Sequence, residues 1–200
     1  AILNDDTLKC WGHGSNGKLG YGDTINRGDG ASEMGDNLPV IDLGTGKTAK
    51  QVAADVAHTC AILNDDTLKC WGSNNYGQLG DNTTTDKTTP QDVNLGTGKT
   101  AKQVVVGAYY TCAILNDDTL KCWGVNSYGK LGYGDTDNRG DTTNLPAVDL
   151  GSVKISYSKT LVRAWEPLQT VSGIGGAKGE KGDIGPQGPA GINGTQGIKG

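Results

Sequence analysis

Phenylalanine is missing from this 200-residue chain, methionine occurs once, and apolar residues make up only 34% of it. So little apolar material argues against a large conventional core. No run approaches the roughly 18 consecutive apolar residues of a membrane-spanning helix. The net charge of −4 lacks the basic footprint of a nucleic-acid partner. The two histidines, His13 and His58, and the absence of any C-x-x-C pair argue against a zinc site. They also provide no general-base network, and no carboxylate pair has a reason to titrate apart. The chain is therefore read as a non-enzyme without a cofactor. It begins at Ala1, inside a repeat, with neither an initiator methionine nor a signal peptide. A processed chain or a piece of a longer one is the expectation.

What the sequence does contain is repetition. CAILNDDTLKCWG spans residues 60–72 and 112–124, and residues 1–12 carry the same string without its first cysteine. Behind each tryptophan come GHGSNGKLG, GSNNYGQLG and GVNSYGKLG. A variable polar loop follows, then a proline (Pro39, Pro90, Pro146) and a short apolar piece. Two copies continue into GTGKTAKQV. Length variation confined to one place marks a surface loop.

AIL and TLKCW are short strand-compatible runs around the turn-forming NDD. With Cys60 opposite Cys70, Ile62 faces Leu68 and Leu63 faces Thr67. Asn64, Asp65 and Asp66 are then a three-residue hairpin loop with one residue in the left-handed region. Opposed cysteines stand close enough for a disulfide. Cys60–Cys70 and Cys112–Cys122 are thus expected to staple one hairpin each, by a little under ~3 kcal/mol in the chain-entropy account. Cys10 is the second cysteine of its copy, with its partner expected just before Ala1.

HTCAIL (58–63), WGSNNYGQLG (71–80) and PQDV (90–93) resemble the regulator of chromosome condensation (RCC1) repeat. The third copy departs at Tyr110 and Lys130, the first at Gly14 and Asn16. The resemblance covers roughly residues 1–150 and implies an all-β fold of β-propeller blades, each a four-stranded sheet that packs on its neighbours. The family's ring closes with seven blades, and two full copies with part of a third do not close one. The missing blades are expected either upstream or on other chains. We divide the chain into RCC1-like repeats over 1–151, a connector over 152–172 and a third segment over 173–200.

That third segment has glycine at every third position from Gly173 to Gly200. Only glycine fits the axis where three polyproline-like chains meet, so a collagen-like triple-helical stalk is expected, roughly 80 Å long. Pro186 and Pro189 follow glycines directly. Lys178 with Glu180, and Lys181 with Asp183, supply weak pairs between chains. The composition looks like collagen-like segments of bacteria and large viruses.

Other motifs fit less well. GTGKT (44–48 and 96–100) lacks the first glycine of a phosphate-binding loop, Ile41 and Val93 standing there, and it precedes a strand. Arg27-Gly28-Asp29 and Arg139-Gly140-Asp141 are candidate adhesion tripeptides, or turn chemistry repeated with the loop. Asp135, Asp137 and Asp141 faintly resemble a calcium loop that copy one does not share. Asn82 and Asn193 are glycosylation acceptors on a eukaryotic secretory route.

The expectation is a structural and adhesive fibre on a microbial cell or virion surface, a homotrimer through its tail. It would face a host-surface protein or glycan, without nucleic acid or a membrane span. The alternatives are a binding module that recognises a glycan or protein through its variable loops, and a guanine-nucleotide exchange factor of the RCC1 type.

Overall fold

The computed structural model describes residues 1–140 and 145–151. The connector, the Gly-X-Y segment, Asp141 and Asn193 lie outside the described residues.

Each copy of the repeated string folds as the antiparallel hairpin its register demands. β2 (His58–Leu63) pairs with β3 (Leu68–Gly72), and Cys60 faces Cys70, Ala61 faces Lys69 and Ile62 faces Leu68. The Leu63 N–H donates to the Thr67 carbonyl at 2.9 Å. Asp66 takes the left-handed conformation at φ 65°, as do Asp118 at 65° and Asp6 at 61°. β6 (Tyr110–Leu115) and β7 (Leu120–Gly124) repeat the arrangement. Both disulfides are formed, with Cα atoms 4.1 Å apart.

The sheets do not start where the sequence repeat starts. β1 (Ala49–Ala54), from the end of one copy, is the first strand of the next copy's sheet. The order is β1-β2-β3-β4, with β4 at Lys87–Asp92. β5 (Ala101–Gly107) likewise opens the second sheet, β5-β6-β7. The expected four strands therefore hold for the middle copy. Among the described residues, the fourth position of the long-loop copies is marked by single bridges, Gly12 opposite Arg27 and Gly124 opposite Arg139.

Apolar side chains gather in seams between successive units. One seam joins Leu8, Ile41 and Leu43 to Ala61, Leu63 and Trp71. The other joins Ile62, Leu68, Leu79 and Leu95 to Val104, Leu115 and Trp123. Trp71 and Trp123 are fully buried, each with its indole edge on a glycine of the preceding repeat. A Cβ on Gly20 would lie 2.6 Å from Trp71 Nε1, and one on Gly80 would lie 2.7 Å from Trp123 Nε1. Gln51 adds polar ties across the second seam, its side chain donating to the Val104 carbonyl at 2.8 Å and accepting from the Val104 N–H at 3.3 Å.

Candidate functional site

The two ends of the sheets differ in chemistry. One end carries the NDD turns and the GTGKT turns, and their charges meet each other. Lys47 pairs with Asp65 and Lys99 with Asp117, while Lys50 reaches Asp66 at 2.7 Å and Lys102 reaches Asp118 at 2.6 Å. Asn64 Nδ2 donates to the Gly46 carbonyl at 3.0 Å, and Asn116 Nδ2 to the Gly98 carbonyl at 3.0 Å. The bond from Lys47, helped by Thr67, lowers the Asp65 pKa to about 2. The lysines of GTGKT are thus engaged with the neighbouring hairpin, and the tripeptide before them leads into a strand.

The other end carries the variable loops and the β1–β2 and β5–β6 turns. Ser73 N–H bonds to the Ala57 carbonyl, and Val125 N–H to the Tyr109 carbonyl. In the middle copy, Asn74 organises the loop. Its buried Nδ2 reaches Asp81 Oδ1 and the Thr83 carbonyl, both at 2.9 Å, while its Oδ1 accepts from Leu79 N–H at 2.9 Å. Asn126 does the same with Asp135 and Leu131. Copy one has glycine there for a steric reason. A Cβ on Gly14 would lie 2.1 Å from the Ile25 carbonyl oxygen, where the loop backbone passes.

The arginines of the RGD tripeptides are held inside this loop architecture. Arg27 grips Asp23 with both terminal nitrogens at 2.9 and 2.8 Å and lies 4.1 Å from the Tyr21 ring. Arg139 grips Asp135 at 2.9 and 2.7 Å and lies 4.4 Å from the Tyr133 ring. Arg27, Lys87 and Arg139 occupy one structural position, each bridged to the glycine after a tryptophan. Lys87 has its own acid, Asp81, at 3.4 Å. An adhesion motif needs a projecting guanidinium, and these two point back into their loops. Asp29 accepts from Asn26 Nδ2 at 3.3 Å, and Gly28 N–H donates to Glu33 at 2.8 Å. An aspartate followed by a cation recurs in all three loops, four residues apart in the two long loops and six in the middle one, and that is the sequence signal that exposes this role.

Other candidates sit apart from this cluster. Asn82 is partly exposed in the middle loop, at φ 62°. Cys10 is a free, half-buried thiol whose pKa burial pushes up. Among the described residues no group of three or more metal-ligating side chains occurs, and no helix is long and apolar enough to cross a membrane.

Sequence reasoning did not single out the exposed aromatics of the loop end. Tyr76 is 42% exposed and meets Tyr109, 39% exposed, edge to face at 5.6 Å. Tyr128, at the position equivalent to Tyr76 in the next loop, is 99% exposed. Val56 on the β1–β2 turn is 64% exposed. The signal was present in the repeated N-x-Y-G, but periodicity alone does not say which side faces water.

Disulfide-stapled antiparallel sheets, each keyed to the next by a tryptophan on a glycine, are blades of the β-propeller type. Their sequence places them further: residues 65–114 match the regulator of chromosome condensation (RCC1) repeat, and residues 49–78 and 101–130 match a second description of that repeat. The chain carries RCC1 repeats. The 65–114 unit takes β3 and β4 from one sheet and β5 and most of β6 from the next, so each such unit ties two blades together covalently. The chain is 36% identical to the Arabidopsis thaliana ultraviolet-B receptor UVR8 over 129 residues, which is 64% of this chain and 28% of the receptor. It is 32% identical over 139 residues to the Homo sapiens E3 ubiquitin-protein ligase HERC2, covering 68% of this chain and 3% of that protein. The fold resembles Prp20p from Saccharomyces cerevisiae, with a TM-score of 0.59 and 18% identity over 74% of this chain and 35% of that one. The chain thus spans about a third or less of these relatives.

Proposed function

We propose that this chain is a protein-recognition module whose RCC1 repeats present the variable-loop end as the contact surface. The observation that carries the reading is the contrast between the two ends. At one, lysines and aspartates neutralise each other. At the other, Tyr76 and Tyr128 stand exposed in the segment that leads into each variable loop, and Tyr109 on the β5–β6 turn. Tyrosine offers a large, stiff contact area with a polar tip and is enriched where proteins bind proteins. Relatives support this partner class: the Prp20p structure is described with binding properties to Gsp1p and histones, and Prp20 is also seen bound by Kap60. Exchange-factor activity would be a special case of protein recognition, and fold by itself does not select it.

The Gly-X-Y tail favours a second element of the reading. Ten glycines in register imply three chains wound together, which would present three copies of the module and raise avidity without new contacts. The paired disulfides favour an oxidising site of action, at a cell or virion surface. Protein and glycan arrays probed with the full chain test the reading. Protein ligands retained by Lys50→Ser but lost with Tyr128→Ser and Tyr76→Ser are the expected result. Ligands confined to the glycan array, or no ligand on either, overturn it.

A further inference from the structure

His58 opens β2 at the loop end of its sheet and is fully buried. Its Nε2 lies 2.7 Å from Thr111 Oγ1, on β6 of the next sheet. The Thr111 hydroxyl donates its one proton to the Gln78 carbonyl at 2.8 Å. His58 must therefore donate from Nε2, which fixes the tautomer and leaves Nδ1 as a bare lone pair. Nδ1 is buried without a hydrogen-bond partner. This chain of bonds crosses the seam: His58 and Gln78 belong to the middle repeat, Thr111 to the next. It also lies beneath the exposed pair, because Gln78 is two residues from Tyr76 and Thr111 two residues from Tyr109.

We propose that the His58–Thr111–Gln78 chain is an acid-sensitive latch: a proton taken from solvent onto Nδ1 opens the seam and parts Tyr76 from Tyr109. As control of partner binding this rests on the loop end being the contact surface; the opening itself does not. Proton uptake in the closed seam creates a buried charge and a second N–H with no acceptor. Burial accordingly lowers the His58 pKa to about 4. The surrounding charges do not offset this. Asp55, on the β1–β2 turn, favours the charged ring, but it is exposed and its Oδ1 already accepts from Val56 N–H at 2.7 Å. Lys18 places its ammonium on the Val56 carbonyl of the same turn. Across the seam, Lys130 lies 5.5 Å from the Tyr110 ring. Gln78, Ser73 and the Cys60–Cys70 disulfide are neutral.

Water solvates the imidazolium once the seam opens, so acid favours the open form. Between an ordinary histidine pKa near ~6.5 and the buried one, the opening equilibrium should rise about tenfold per pH unit. Amide hydrogen exchange on the full chain, disulfides intact, from pH 7 to 4.5 and corrected for intrinsic rates, tests this. The Val104 N–H, held across the seam by Gln51, is expected to gain about tenfold in exchange per pH unit, while amides within the Cys60–Cys70 hairpin stay protected. His58→Gln keeps a donor for Thr111 but cannot titrate, and should abolish the slope. Flat Val104 exchange, or loss of protection everywhere at a single pH, overturns the latch. Should the variant not fold, the wild-type ring decides: Cε1–H must titrate in step with Val104 exchange, and titration without that change also overturns it. A seam that opens while partner binding ignores pH would count against the contact surface and leave the latch standing.

Discussion

Gly20 and Gly80 hold the same place in successive repeats, and both need to be glycine twice over. Their φ values are 89° and 69°, and their Cα atoms carry a tryptophan edge. In Gly80→Ala the new methyl would meet Trp123 Nε1 at 2.7 Å and Val93 at 3.0 Å. We expect a loss of more than about 2 kcal/mol in urea unfolding, with Trp123 fluorescence shifted toward that of an exposed indole. The loop arginines act on a gentler lever. Arg27 holds the Asp23 pKa at about 2, so the folded carboxyl lies below its unfolded value near ~3.9. Its stabilising contribution is complete above roughly pH 4 and disappears as pH falls through about 2. Stability measured from pH 5 to 2 should therefore fall in the wild type and fall less in Asp23→Asn.

The hairpin is the smallest piece that explains itself. Its register, its left-handed aspartate and its staple all follow from thirteen residues, because every contact involved is local. Replacing Cys60 and Cys70 together by serine should lower stability by about 3 kcal/mol, read as a shift of the urea midpoint, and reducing agent, which also opens Cys112–Cys122, should shift the wild type further. The fourth strand is less self-evident. In the middle copy, β4 continues the ladder beside Cys70. In the long-loop copies a tyrosine hydroxyl takes over part of that work. Tyr21 accepts from Cys10 N–H at 3.1 Å and donates to its carbonyl at 2.8 Å, and Tyr133 bonds Cys122 in the same way at 3.1 and 3.0 Å. GYGD, read along the chain, shows a turn; it does not show a phenol standing in for a strand.

Beyond single sheets, the molecule is held by its seams, and these rest on residues far apart in sequence. Trp71 needs Gly20, Thr111 needs Gln78, and Gln51 needs Val104. On the proposed reading, the tail adds partners outside the chain. In sedimentation equilibrium the full chain should weigh about three times its 20.7 kDa, falling to one chain when heated through a triple-helix transition. A single-chain mass at low temperature would remove the trimer.

The order of copies, the hairpin pairing, the disulfide partners and the place of the variable loops are written in the sequence, because each depends on neighbours a few residues away or on a period that can be counted. The phase of the blades, the burial of His58 and the exposure of Tyr128 are not. Each of those depends on which repeat packs against which face, a choice made by shape and desolvation between segments some 50 residues apart, where no local pattern of letters carries the information.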